Sequence, residues 1–276
     1  MKTQTKRSLY LGLLAGVSLL AIVLGSCSNE EFNPSLTRKF SIESASNGAI
    51  YEITVGLPAD YDLSNGKYAT IYVLDGEDNF ALVANNCKEI SKTNGTQNVV
   101  VVGIGYGRDR SIDYTPTKVS SVTGGGAEFL QFIEAQLIPR IEQDFNVDTT
   151  AAGRVIIGHS YGGLFGACVL AINNSLFGNY ILLSPSIWFD NEVTLQLEKA
   201  NRVNNQNRPQ LVFMGIGEME NAGRMQAPFE AFYQILNDNY TNIKLSRNRE
   251  PNLSHIGSKD PNTIKGLTFY FQNRQF

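Results

Sequence analysis

The feature that most constrains this chain is Gly158-His159-Ser160-Tyr161-Gly162-Gly163. It stands directly behind the apolar run Val155-Ile156-Ile157 and directly before Leu164-Phe165-Gly166-Ala167. A short β-branched run of this kind predicts a strand covered on both faces, and the apolar stretch beyond the glycines predicts a helix. Joining the two within a few residues requires a sharp reversal, for which small residues at 158 and 162 leave room. Ser160 at the apex then takes a strained backbone conformation with its hydroxyl exposed, the setting in which a serine becomes a nucleophile. The new helix turns its positive end toward any anion formed there. The pentapeptide G-x-S-x-G alone is a weak signal; its strand and helix give it meaning.

The rest of the chain repeats the alternation. Strand-like runs cover residues 50–57, 69–74, 99–104, 154–158, 180–183, 211–216 and 242–245. Helical stretches are predicted over 79–91, 161–172, 222–237 and from 258 onward. Phe129, Ile133, Leu137 and Ile141 recur at helical spacing, with Pro139 as a kink near that helix's end. The fold class is therefore α/β, a mostly parallel central sheet with helices on both faces. Ligands on such sheets bind at the carboxyl ends of the strands. Ser160, the loop after Gly217 and the loop holding His255 all follow strands, so the three converge at one end.

The chain has two histidines, His159 and His255. His159 is the neighbour of Ser160 on the turn, and adjacent side chains there diverge, so it is badly placed to take the serine proton. His255 is the remaining base. It lies in the polar segment Glu250-Pro251-Asn252-Leu253-Ser254-His255, a loop position that suits a general base. A third group should orient that imidazole and fall between serine and histidine in the chain. The strand ending Gly215-Ile216-Gly217 runs into Glu218-Met219-Glu220. Glu220 is favoured because a tight turn would carry it back over the sheet edge; Glu218 is the second candidate.

The N-terminus reads differently. Lys2, Lys6 and Arg7 precede an uncharged run over 9–24, and Leu24-Gly25-Ser26-Cys27 follows. This is the pattern of a secretory leader over 1–26, with Cys27 as a lipidated mature N-terminus. Residues 27–47 read as a tether and 48–276 as one domain, placing the protein on the bacterial cell envelope. Without the leader's three cations the net charge moves from −3 to −6. An acidic chain with no basic stripe argues against nucleic acid. No C-x-x-C and no histidine cluster points to a metal. Cys87 and Cys168 leave a disulfide open, with Cys168 expected to be a buried packing residue.

Several segments carry a resemblance. Tyr72-Val73-Leu74-Asp75-Gly76, Asp113-Tyr114-Thr115-Pro116-Thr117, the elbow, and Leu183-Ser184-Pro185-Ser186-Ile187-Trp188 are similar to the esterase D family of α/β-hydrolases. The likeness is to the branch that holds bacterial siderophore esterases, and it spans roughly residues 48–272. It implies an α/β-hydrolase fold and a cofactor-free esterase acting on a small-molecule ester. Ser160 would be the nucleophile, His255 the base and Glu220 the acid. The backbone N–H of Tyr161 forms half of an oxyanion hole by its position after the nucleophile; the family pattern assigns the other half to the N–H of Glu77.

Arg108 and Arg110 are candidates for an anionic substrate at the mouth of the site. Their other reading is a solvated pair near Asp109 and Asp113. Trp188 and Phe189 would stack on an aromatic acyl group or pack beneath it. The alternatives are an acetyl or feruloyl carbohydrate esterase, transfer to an alcohol instead of water, or a lipoprotein that uses the fold only to bind.

Overall fold

The computed structural model describes residues 31–63 and 66–274. Eight strands form one sheet: β1 (Thr37–Glu43), β2 (Ile50–Gly56), β3 (Thr70–Val73), β4 (Val100–Ile104), β5 (Arg154–His159), β6 (Asn179–Leu183), β7 (Gln210–Gly217) and β8 (Ile243–Glu250). Their order is β1-β2-β4-β3-β5-β6-β7-β8. The β1–β2 and β2–β4 pairs are antiparallel and the rest are parallel. Strands β3, β4 and β6 are buried at every position, and β5 at all but its first, as continuous apolar runs with helices on both faces require.

The helices are α1 (Gly76–Asn94), α2 (Arg110–Asp113), α3 (Gly126–Phe132), α4 (Ile138–Asp144), α5 (Tyr161–Ile172), α6 (Phe189–Asn205), α7 (Ala227–Asn239) and α8 (Lys259–Asn273). On one face α1 and α8 pack Phe80, Val83, Leu267 and Phe271 against Ile71, Val101, Ile157 and Phe213. On the other, α3, α4, α5 and α7 set Phe129, Ile141, Phe165 and Phe232 against Tyr72, Val102, Ile156 and Met214. Helix α6 lies outside α5 and closes a small cluster around Leu164, Cys168 and Phe189.

Two sequence expectations change. The segment over 34–47 is not a tether, because Thr37–Glu43 pairs with β2 along its whole length. Only Phe40 and Ile42 of that strand pack on the core, and its outward residues are polar or charged, so its apolar signal is faint. Such a polar edge also resists pairing with another chain. Phe32 packs edge-on against Phe80 at 5.7 Å, so the fold begins before residue 48. The leader over 1–26, Cys27 and the rest of the tether up to residue 30 lie outside the described residues.

Helix α6 was not evident in the sequence. It begins at a kink where Asp190, Asn191 and Glu192 all have positive φ, which breaks the helical register near its start. Pro139 sits beside a distortion near its helix's end, as expected. The preceding turn, Ile133–Leu137, widens to π geometry, and Ile138 N–H bonds the Ile133 carbonyl. A wide turn of this kind accommodates the missing proline N–H.

Cys87 and Cys168 are free and buried, Cys87 on the α1 face of the sheet and Cys168 in α5 on the opposite face. The sheet itself separates them. Burial pushes the Cys168 thiol up to about 12, so it is an inert packing residue.

Candidate active site

The elbow is set by backbone crowding. A Cβ at Gly158 would come within 2.5 Å of the Gly162 backbone, and one at Gly163 within 2.9 Å of the Leu183 carbonyl. Gly163, not Gly162, is therefore the second obligatory small residue. Ser160 stands between them at φ 60°, ψ −115° as the cap of α5. That conformation costs on the order of 1–3 kcal/mol, and the surrounding bonds hold it. Ser160 N–H donates to the Leu183 carbonyl at 2.9 Å, and the Ser160 carbonyl accepts from Leu164 at 2.9 Å and Ser186 at 3.2 Å.

The loop after β7 supplies the carboxylate. Glu220 N–H turns back to the Gly217 carbonyl at 3.2 Å, which buries the side chain beneath the loop. Its Oε2 lies 2.7 Å from His255 Nδ1. Its Oε1 accepts from Ser184 Oγ at 2.6 Å and from Gly217 N–H at 2.8 Å. Burial raises the Glu220 pKa, but the bonds from His255, Ser184 and Gly217 outweigh it and hold the group below its ordinary value. An ionised Glu220 makes His255 Nδ1 the donor and leaves Nε2 free. Glu218 is exposed and accepts instead from Asn252 N–H at 2.9 Å. The carboxylate that meets the imidazole is Glu220.

Ser160 and His255 line one cavity of about 520 Å³, together with Tyr161, Ser186, Trp188 and Arg224. A second depression of about 560 Å³ continues past Tyr161 and Trp188 toward Val119, Val122 and Asp190. Tyr161 is the first residue of α5 and Glu77 the second of α1, so both amides belong to first turns that lack intrahelical acceptors. The β3–β5 register sets Val73 beside Ile157, which brings the start of α1 alongside the elbow.

Two residues given no site role by the sequence, His159 and Ser184, hold this end together. His159 donates from Nε2 to the His255 carbonyl at 3.0 Å, and the two rings lie 4.6 Å apart. Burial, then the neighbouring His255, lowers the His159 pKa to about 4, so it is neutral beside the His255 imidazole. Ser184, at φ 40°, carries the hydroxyl that braces Glu220. The Ser-Pro-Ser-Ile-Trp segment thus holds the acid through Ser184, bonds the Ser160 carbonyl through Ser186 N–H, and walls the cavity with Trp188.

The depressed His159 value has a consequence for stability. Between pH 6.5 and about 4 the unfolded chain takes up a proton that the folded protein refuses. Stability is therefore full above pH 6.5 and falls toward pH 4, by on the order of 3 kcal/mol. Melting temperatures across that window should drop in the wild type and drop less in His159→Gln.

Neither predicted arginine lines the cavity. Arg108 donates to Asp113 Oδ1 from Nε at 2.7 Å and pairs with Glu128 at 2.8 Å. Arg110 grips Asp75 with two bonds, 2.7 and 2.9 Å, and donates to the His159 carbonyl at 3.2 Å. Carboxylates in the same region outcompeted any outward role. The Tyr114 hydroxyl also accepts from Asp75 N–H at 2.9 Å, so the Asp-Tyr-Thr-Pro-Thr segment anchors the turn that leads into α1 and Glu77. Arg110 links that loop to the elbow. Arg110→Gln should therefore lower kcat for charged and neutral esters in equal proportion, measured side by side.

The strand order, with Ser160, Glu220 and His255 following β5, β7 and β8, is that of the α/β-hydrolase fold. Within it the chain belongs to the Esterase family, described as "Putative esterase", whose model matches residues 44–249. Ferri-bacillibactin esterase BesA of Bacillus subtilis is 30% identical over 207 residues, 65% of this chain and 69% of that protein. Siderophore triacetylfusarinine C esterase of Aspergillus fumigatus is 32% identical over 167 residues, 55% of this chain and 57% of that protein. The chain spans 50–69% of the length of such curated relatives. Among solved structures, the BES protein from Bacillus cereus superposes with a TM-score of 0.77 at 29% identity, covering 87% of this chain and 96% of that one. An IroE-like serine hydrolase from Shewanella oneidensis gives 0.75 at 27% identity, covering 86% and 80%.

Proposed function

We propose that this chain is a serine hydrolase of carboxylic esters, acting through an acyl-enzyme on Ser160, with ester-linked siderophores as its substrate class. The observation that carries the chemistry is the 2.7 Å contact from His255 Nδ1 to an ionised Glu220, in the cavity that Ser160 lines. It gives the imidazole one tautomer, with Nε2 left unprotonated to take a proton. His255 takes the Ser160 proton as Oγ bonds to the ester carbonyl carbon. The resulting oxyanion is held by the Tyr161 and Glu77 amides, each worth about 2.7–4 kcal/mol of barrier. The C–O bond then breaks, and the alcohol leaves with the proton from His255. Water, deprotonated by the same nitrogen, attacks the acyl-enzyme and returns the acid and the free serine.

The substrate class is supported by the names of the relatives in Bacillus and Aspergillus, both siderophore esterases. The Leu24-Gly25-Ser26-Cys27 segment supports attachment to the cell envelope through a lipid on Cys27.

The test compares turnover of a ferric catecholate trilactone with that of short p-nitrophenyl esters, using protein without residues 1–27 and Ser160→Ala as control. Serine-dependent cleavage that favours the trilactone supports the proposal. Cleavage of the simple esters alone removes the siderophore assignment, and cleavage of neither removes the hydrolase.

A further inference from the structure

With Arg108 and Arg110 committed elsewhere, the cavity still has a cation. Arg224 lines it beside Ser160 and His255, on the turn Ala222–Gln226 that leads into α7. Its backbone is fixed, because Arg224 N–H donates to Asn221 Oδ1 at 2.7 Å. Its guanidinium carbon lies 3.7 Å from the centroid of the Trp188 ring. Arg224 is in none of the ion pairs among the described residues, whereas Arg108, Arg110, Arg247 and Arg249 each hold a carboxylate. The one carboxylate that shares the cavity, Glu220, is buried and bonded to His255, Ser184 and Gly217.

A guanidinium seated over an indole keeps its planar fork of N–H donors available at its edge. The ring shields one face from water and restricts the side chain, so less entropy is lost when the fork is filled. The partner that matches such a fork is a pair of adjacent anionic oxygens, as in a carboxylate or a catecholate. We infer that Arg224, stacked on Trp188, is the residue that selects esters whose acyl group carries such an oxygen pair. This rests on the esterase reading for its catalytic consequence, while the binding it requires stands apart from catalysis.

Trp188 is the only tryptophan of the chain, so its fluorescence reports on Arg224 directly. The test has two arms, run on wild type and Arg224→Gln, with Arg224→Lys as the variant that keeps charge without the fork. In the first, isophthalate and neutral isophthalamide are titrated under tryptophan-selective excitation. Isophthalate should perturb Trp188 saturably, and Arg224→Gln should weaken its binding about tenfold, with Arg224→Lys in between. In the second, kcat/KM is compared for the 4-nitrophenyl esters of 3-carboxybenzoate and 3-carbamoylbenzoate. The charged-to-neutral ratio should fall about tenfold in Arg224→Gln, through KM, and should fall with added salt in the wild type.

The inference is overturned if the glutamine variant binds isophthalate as the wild type does and cleaves both esters in the wild-type ratio. Hydrolysis with an unchanged ratio leaves the esterase standing and removes the role of Arg224. Isophthalate binding that depends on Arg224 in a protein that cleaves neither ester has the opposite meaning.

Discussion

Ser160→Ala and His255→Ala are each expected to lower kcat for any ester substrate about 10⁵–10⁶-fold, and the double variant should be no worse than either single one. The two groups act as a unit, since an imidazole with no hydroxyl to deprotonate and a hydroxyl with no base are equally inert. What survives should be the contribution of binding and of the Tyr161 and Glu77 amides, roughly 10³–10⁴ over water. Neither change should unfold the protein. Alanine at 160 keeps the same backbone bonds to Leu183, Leu164 and Ser186, and residue 255 sits on a partly exposed loop. Circular dichroism and melting temperature check the fold, and burst kinetics with a p-nitrophenyl ester check the acyl-enzyme. Activity within a few-fold of wild type in either variant would remove the proposed mechanism.

Glu220→Gln is the second large effect, about 10³–10⁴-fold in kcat, against less than about threefold for Glu218→Gln. The glutamine can keep its oxygen toward Ser184 and Gly217, which donate at 2.6 and 2.8 Å, so its NH₂ faces His255 Nδ1. A donor there forces the proton onto Nε2 and leaves no lone pair for Ser160. The shape is preserved and the tautomer is wrong. The Glu218 carboxylate accepts from the exposed Asn252 N–H, and a glutamine oxygen accepts that N–H equally well. Parallel kcat measurements on the two variants decide between the carboxylates; equal losses, or a larger one at 218, would reject Glu220 as the orienting group.

Much of the architecture was legible because the signals are local. The strand, turn and helix around Ser160 occupy consecutive residues, and β3 to β6 announce themselves as apolar blocks. The elements that escaped have weak local signals. Strand β1 offers two core residues among polar neighbours, and α6 opens on three residues with positive φ. Ser246 to Arg249 extend β8 beyond its apolar part, since at an edge the ladder with β7 holds them instead of a hydrophobic run.

The amino-acid sequence by itself determined the elbow with Ser160 at its apex and the alternation that makes a mostly parallel sheet, and it left His255 as the candidate base. These depend on backbone sterics and apolar periodicity, which act over a few residues. The tertiary structure alone set Glu220, and not Glu218, against His255, gave His159 and Ser184 their contacts with His255 and Glu220, tied Arg108 and Arg110 to Asp113 and Asp75, and left Arg224 lining the cavity. Each of those outcomes depends on which charged or hydrogen-bonding group stands within about 3 Å of another. Contacts at that range join segments far apart in the chain, so their partners are fixed only when the sheet and its loops come together.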